Sequence, residues 1–264
     1  MKVLFYHGGP GLNSNPEKEI LTGEFKAKGY QLICWNEPSS LRSTGLDIQY
    51  SFQHYLLNAE EFLISNYNGT PLIIIGHSFG AQICVYLSQK HPSKIKQIIL
   101  VSSNLAVKNT DLNTFSFIAA DLVEHDDENA KIMDDVIQKY TGTFDENTQL
   151  GFSIAGQNPR LFDYYWHNKP LMHQFLAHYT SPNYVLDVNA YFQIRKTWFE
   201  LKAQKSAILV TAVYGKHEQV VSNLVEQKKA REYFNRIEFH DFHHSAHYPH
   251  VEEADLFLQL LSPL

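Results

Sequence analysis

Ser78 stands where a serine could become a nucleophile. Gly76-His77-Ser78-Phe79-Gly80 follows the apolar run Pro71-Leu72-Ile73-Ile74-Ile75, which is bounded by Pro and Gly and reads as a fully buried strand. A helical pattern begins just beyond, with Ile83, Tyr86 and Leu87 on one face and a stop at His91-Pro92. Strand, G-x-S-x-G and helix in that order describe a nucleophile elbow. The glycines give the room that a sharp, strained turn requires. The turn holds the hydroxyl at a helix N-terminus, where backbone N–H groups favour a developing anion. Three fixed positions alone would match by chance in about one chain in ten of this length, so the flanking strand and helix carry the reading.

A second cluster of chemistry follows the first strand, Lys2 to Tyr6. His7-Gly8-Gly9-Pro10-Gly11 is a tight loop with exposed backbone amides. Acyl transfer needs two amides aimed at the carbonyl oxygen, and Phe79 and Gly9 are the candidates for that oxyanion hole. A phosphate cradle is the competing reading, but no Gly-Lys-Ser/Thr follows and no G-x-G-x-x-G occurs.

With these two motifs the chain resembles the α/β-hydrolase family from Lys2 to its end, the middle third excluded. The HGGPG loop is similar to that of the prolyl iminopeptidase branch, and this resemblance implies a cis peptide bond at Gly9-Pro10. Two departures separate the chain from that branch. The elbow is not G-G-S-W-G, and Trp35-Asn36-Glu37-Pro38-Ser39-Ser40 stands where the branch carries D-Q-R-G-x-G-x-S.

Hydrolases of this type place the acid and then the base after the serine. Ala207 to Tyr214 reads as a late buried strand, and Gly215-Lys216-His217-Glu218 follows it. The resemblance implies G-x-x-D there, which makes Glu218 the candidate acid that orients the imidazole; Asp241 and Asp187 are the alternatives. The base belongs on the loop between the strand ending at His240 and the helical stripe Val251, Ala254, Phe257, Leu258 and Leu261. The family's H-x-P-x-x-E pattern fits His247 best, with His243 and His244 as alternatives.

Five histidines between His240 and His250 could suggest a metal site, but no Cys or spaced carboxylate set accompanies them and no H-E-x-x-H occurs. They read as solvent-facing or satisfied by backbone, so neither a metal nor a cofactor is expected. With 264 residues the chain can bury roughly three quarters of its unfolded surface. Its net charge of −6, without a basic stripe, argues against nucleic acid. Met1 runs straight into the first strand and no apolar run reaches membrane-spanning length, so the expectation is a cytoplasmic protein with no membrane span. Cys34 and Cys84 fall on a strand and a helix and read as core residues rather than a disulfide.

The positioning elements alternate. Asn15-Pro16 reads as the N-cap and first residue of a helix closed by Gly29, and Phe52, Tyr55, Leu56, Ala59, Phe62 and Leu63 form a second helical stripe. The expected fold is α/β, an α/β-hydrolase fold with a mostly parallel sheet of about six strands, helices on both faces and chemistry at the carboxyl ends of the strands. Residues 1–103 and 206–264 form the expected core. From 104 to 205 the strand rhythm stops, and the stripes Phe115, Ile118, Ala119, Leu122 and Val188, Tyr191, Phe192, Arg195, Trp198, Phe199 imply a helical cap. Cap aromatics, among them Phe152, Phe162, Tyr164, Tyr165, Trp166, Phe175 and Tyr179, could line an apolar pocket or pack the cap's own core. The run Asp121, Glu124, Asp126, Asp127, Glu128 could hold a substrate amine or be a solvated helix face.

Together these residues point to a serine hydrolase acting on a small-molecule acyl substrate through Ser78, His247 and Glu218. An aminopeptidase releasing N-terminal proline and a non-catalytic binding protein on the same scaffold are the alternatives.

Overall fold

Alternate residues of the central strands face opposite cores, the period-two arrangement of a sheet covered on both sides. The structure is a computed structural model that describes residues 1–41, 50–180, 183–184 and 186–261. Its strands are β1 (Lys2–Tyr6), β2 (Gln31–Cys34), β3 (Leu72–His77), β4 (Ile95–Val101), β5 (Ser206–Gly215) and β6 (Phe234–Phe242). They form one parallel sheet in the order β2-β1-β3-β4-β5-β6. The expected α/β sheet of about six strands is present; β4 and β6 begin three residues earlier than their most apolar stretches.

Three helices precede β4: α1 (Asn15–Ala27), α2 (Phe52–Asn66) and α3 (Gly80–Lys90). Five lie between β4 and β5: α4 (Val107–Leu122), α5 (Asp127–Lys139), α6 (Glu146–Gln157), α7 (Lys169–Leu176) and α8 (Val188–Lys196). Then come α9 (Asn223–Tyr233), α10 (Pro249–Glu252) and α11 (Ala254–Leu258). On one face of the sheet Val3, Phe5, Ile73 and Ile75 pack with Leu21 and Phe25 of α1 and with Phe257 and Leu258 of α11. On the other, Leu4, Ile74, Ile98 and Leu100 pack with Tyr55 of α2, Ile83 of α3 and Ala230 of α9.

The starts of α2, α5, α6, α7 and α8 follow short polar side chains that cap orphan N–H groups. α1 starts after Ser14 rather than Asn15, one residue earlier than expected, with Pro16 in its first turn; the Ser14 hydroxyl donates to Trp35 O and caps no helix N–H, and Gly29 (φ +81°) follows the helix end. Only two apolar stripes were legible between β4 and β5, yet five helices form there. Asp126, Asp145, Asn168 and Asp187 accept from Asn129, Thr148, Leu171 and Ala190 N–H at the starts of α5, α6, α7 and α8. α4, α5 and α6 share a core of Phe115, Ile118, Met133, Val136 and Ile154. Met172 and Phe175 of α7, like Ala190 and Ile194 of α8, pack instead into the cores flanking the sheet. The stripe from Val251 to Leu261 is broken into α10 and α11 at Glu253. Among the described residues no helix is long and apolar enough to cross a membrane.

Candidate active site

The strand order places a switch between β1 and β3, the place where ligands bind in open parallel sheets. Both glycine-rich segments leave the sheet there. Ser78 sits between β3 and α3 at φ +49°, a left-handed conformation that costs a serine of order 1–3 kcal/mol and persists only where its surroundings fix it. They do. Ser78 N–H donates to Val101 O at 2.8 Å, and Ser78 O accepts from Ala81 and Asn104 N–H at 3.0 Å each. Gly80 lets α3 close against β1, since a Cβ there would lie 2.4 Å from Tyr6 O.

The loop after β1 lies against the elbow. A Cβ on Gly8 would come within 2.8 Å of Ser78 Cβ. No backbone–backbone hydrogen bond engages the N–H of Gly9 or Phe79 among the described residues. Glu37, unassigned from sequence, braces this loop from the segment after β2: Oε2 accepts from Gly11 N–H at 2.8 Å and Oε1 from Ser39 Oγ at 2.5 Å. Burial pushes its carboxyl up to about 8. The described residues contain no cis peptide bond, so Gly9-Pro10 is trans. The loop is held by Glu37 and by Asp187 N–H donating to Gly11 O at 2.9 Å, not by the expected cis turn.

Glu218 follows β5, and His247 lies between β6 and α10. Glu218 Oε2 meets His247 Nδ1 at 2.8 Å, both side chains sealed from solvent. Glu218 Oε1 accepts from Val220 and Val221 N–H at 2.8 and 3.3 Å. Burial alone would raise the Glu218 carboxyl, but the imidazole, its hydrogen bond and the Val220 N–H hold it below the usual carboxylate value. An ionised carboxylate accepts from Nδ1–H, which leaves Nε2 as the ring's acceptor. The backbone on both sides of the ring is pinned: His247 N–H donates to Tyr165 O at 3.0 Å, and His247 O accepts from His77 Nε2 at 2.9 Å.

His247 and Ser78 line the same cavity. No hydrogen bond joins the Ser78 hydroxyl to the imidazole among the described residues. Of the alternatives, His243, His244 and Asp241 are exposed, and Asp187 caps α8.

His250 departs from the solvent-facing expectation. It is fully buried, stacks on Phe5 with ring centroids 5.4 Å apart, and neither ring nitrogen makes a hydrogen bond, Nε2 standing 4.0 Å from Glu17 Oε1. Glu17, His77 and His250 offer one ligand atom each within 4.8 Å of one another beneath the elbow. Burial pushes Glu17 up to about 8 and His250 down to about 3. The group is therefore uncharged near neutral pH, and Glu17 would have to lose its proton to ligate a cation.

The cavity beside Ser78 measures about 530 Å³. Phe152, Phe162 and Tyr165 line it, whereas Trp166, Phe175 and Tyr179 pack into the core beside the sheet. The acidic run does not reach it: Asp126 caps α5, Asp127 pairs with Lys131 at 2.5 Å, and Asp121 binds Arg160 at 2.8 Å. Instead the charged pair Asp111 and Arg195 lines the cavity, together with Asp187. The available signal for it was a lone arginine within an otherwise apolar stripe on α8.

The sequence matches the model of the alpha/beta hydrolase fold over residues 2–254. The chain belongs to that family. Among solved structures it is similar to an esterase from Exiguobacterium antarcticum (TM-score 0.64, 13% identity, 98% of this chain and 89% of the other). It is also similar to a lipase-esterase related protein from Clostridium acetobutylicum (TM-score 0.63, 15% identity, 98% and 91%). A third is Est816, titled an N-acyl homoserine lactone degrading enzyme (TM-score 0.60, 16% identity, 98% and 91%). No curated protein matches the sequence. In this α/β hydrolase the arrangement offers a hydroxyl on a strained turn, free amides beside it, and an imidazole oriented by a buried carboxylate.

Proposed function

We propose that this α/β hydrolase is a serine hydrolase cleaving a small or medium carboxylic ester or related acyl substrate. Ser78 Oγ attacks the carbonyl carbon while His247 Nε2 takes its proton, and Glu218 stabilises the imidazolium that forms. The Gly9 and Phe79 amides receive the oxyanion. His247 then returns the proton to the departing alcohol, leaving an acyl-Ser78 ester that water hydrolyses by the reverse sequence. The observation that carries this reading is the sealed 2.8 Å pairing of Glu218 with His247 on the cavity that holds Ser78. Esterase titles among the structural neighbours agree with it.

The second reading, an aminopeptidase releasing N-terminal proline, draws on the HGGPG loop. It needs a carboxylate free to hold a cationic amine near Ser78. Asp111 and Asp187 line the cavity, but Asp111 is already bound by Arg195 and Tyr140 and Asp187 caps α8 through Oδ1, which favours the ester reading. The test compares 4-nitrophenyl acetate and butyrate with proline 4-nitroanilide at equal concentration. Turnover of the esters at least about tenfold faster is expected; selective proline release would reverse the assignment.

A further inference from the structure

Beside Ser78 the cavity wall carries a buried ion pair that the proposed chemistry does not use. Arg195 on α8 and Asp111 on α4 are 6% and 3% exposed. Arg195 Nη2 donates to Asp111 Oδ2, which also accepts from the Tyr140 hydroxyl. This is one bond from a group with five N–H donors, and Arg195 Nε has no partner. The guanidinium lies 5.9, 5.5 and 5.8 Å from the ring centroids of Phe79, Phe144 and Phe152. Phe79 follows the elbow serine, so the polar spot lies close to the reacting centre.

Fold stability is a weak reason for such a pair, because apolar residues of similar volume do as well or better at buried sites. Binding cavities, by contrast, are mostly apolar with a few polar groups that fix a ligand's orientation. The charges decide which ligand. The guanidinium stays protonated and Asp111 offsets it, while Asp187, also on the cavity, is engaged at the start of α8, its Oδ1 accepting from Ala190 N–H. A carboxylate would lose its hydration to meet attraction from Arg195 and repulsion from Asp111 together; an ammonium meets the converse. A neutral oxygen requires only the spare N–H donors.

Resting on the serine-hydrolase reading, we propose that the Arg195–Asp111 pair is a subsite for a neutral hydrogen-bonding oxygen, a ketone, amide or hydroxyl, carried on the acyl chain of the substrate.

The test is an isosteric series of 4-nitrophenyl esters: hexanoate, 4-oxohexanoate, 5-oxohexanoate and hydrogen glutarate. One oxohexanoate should exceed both hexanoate and hydrogen glutarate in kcat/KM by at least about tenfold, the low end of what a site built around a hydrogen bond imposes. In the double variant Asp111→Leu/Arg195→Met, which removes both charges and so leaves neither unpaired, the oxo-to-alkyl ratio should fall to within about threefold of one. A structural role alone would change all the esters together and leave that ratio fixed. Hexanoate performing as well as either ketone, hydrogen glutarate performing best, or an unchanged ratio in the double variant would overturn the proposal. The wild-type series decides alone should the variant not fold. Hexanoate turnover without a ketone preference sinks only the subsite. Failure of every ester, with Ser78 inert to a fluorophosphonate, sinks the hydrolase reading as well.

Discussion

Replacing Glu218 by Gln tests the proposed acid through the hydrogen bonds around it. In the wild type Oε1 accepts from two backbone N–H groups while Oε2 accepts from His247. Glutamine has one oxygen and one NH₂, so it cannot accept on both sides. Keeping its oxygen on Val220 and Val221 retains two hydrogen bonds of about 1 kcal/mol each against one to the ring. The NH₂ then faces Nδ1 and forces that nitrogen to accept. The proton moves to Nε2, and the ring can no longer take the Ser78 proton. In another triad the equivalent carboxylate-to-amide change costs about 10⁴ in kcat, roughly 5.5 kcal/mol of barrier. Glu218→Gln should therefore lower kcat for 4-nitrophenyl butyrate by about 10³ to 10⁴, with KM and the circular-dichroism spectrum little changed. Glu218→Asp keeps the charge but falls one methylene short and should lose less. A Glu218→Gln enzyme within about tenfold of wild type would refute the reasoning and move the role to another carboxylate.

Ser78→Ala should abolish both ester turnover and fluorophosphonate labelling; labelling that persists by mass spectrometry would exclude Ser78 as the nucleophile. Glu17 keeps its proton to about pH 8 when folded but gives it up near 4.5 when unfolded, so its contribution to stability is complete below 4.5 and is lost as pH rises through 8. Glu17→Gln should raise stability relative to wild type by about 1–3 kcal/mol between pH 5.5 and 8.5 in urea titrations, and an unchanged pH slope would count against it. Gly80→Ala drives a methyl into Tyr6 O and should cost about 3 kcal/mol or more; an unaltered Tm would mean that the elbow can open without strain.

Much of the fold was legible because its central strands β1, β3 and β4 are short apolar runs with two buried faces, a pattern that needs no partner information. The elbow, the loop after β1, Glu218 and His247 were legible through order and spacing along the chain. What stayed hidden depends on tertiary contact. Glu37 looked like a departure from a family pattern, yet its carboxyl grips Gly11 from a different strand end. Asp111 and Arg195 lie 84 residues apart, and nothing local announces that the two helices bring them together. The helices α5 to α7 were missed although α5 carries an apolar face of Ala130, Met133 and Val136; the Asp and Asn residues that start those helices mark their boundaries directly.

The joint between Gly11 and Asp187 couples two parts of the molecule that otherwise look independent. Gly11 O accepts from Asp187 N–H, and Asp187 Oδ1 caps the helix that carries Arg195. One main-chain hydrogen bond thus ties the loop holding the candidate oxyanion amide to the start of the helix holding the cavity arginine. A ligand that displaced α8 would therefore pull on Gly11, two residues from Gly9. Under the proposed mechanism, an acyl chain that fits badly against α8 would then be discriminated in turnover as well as in affinity.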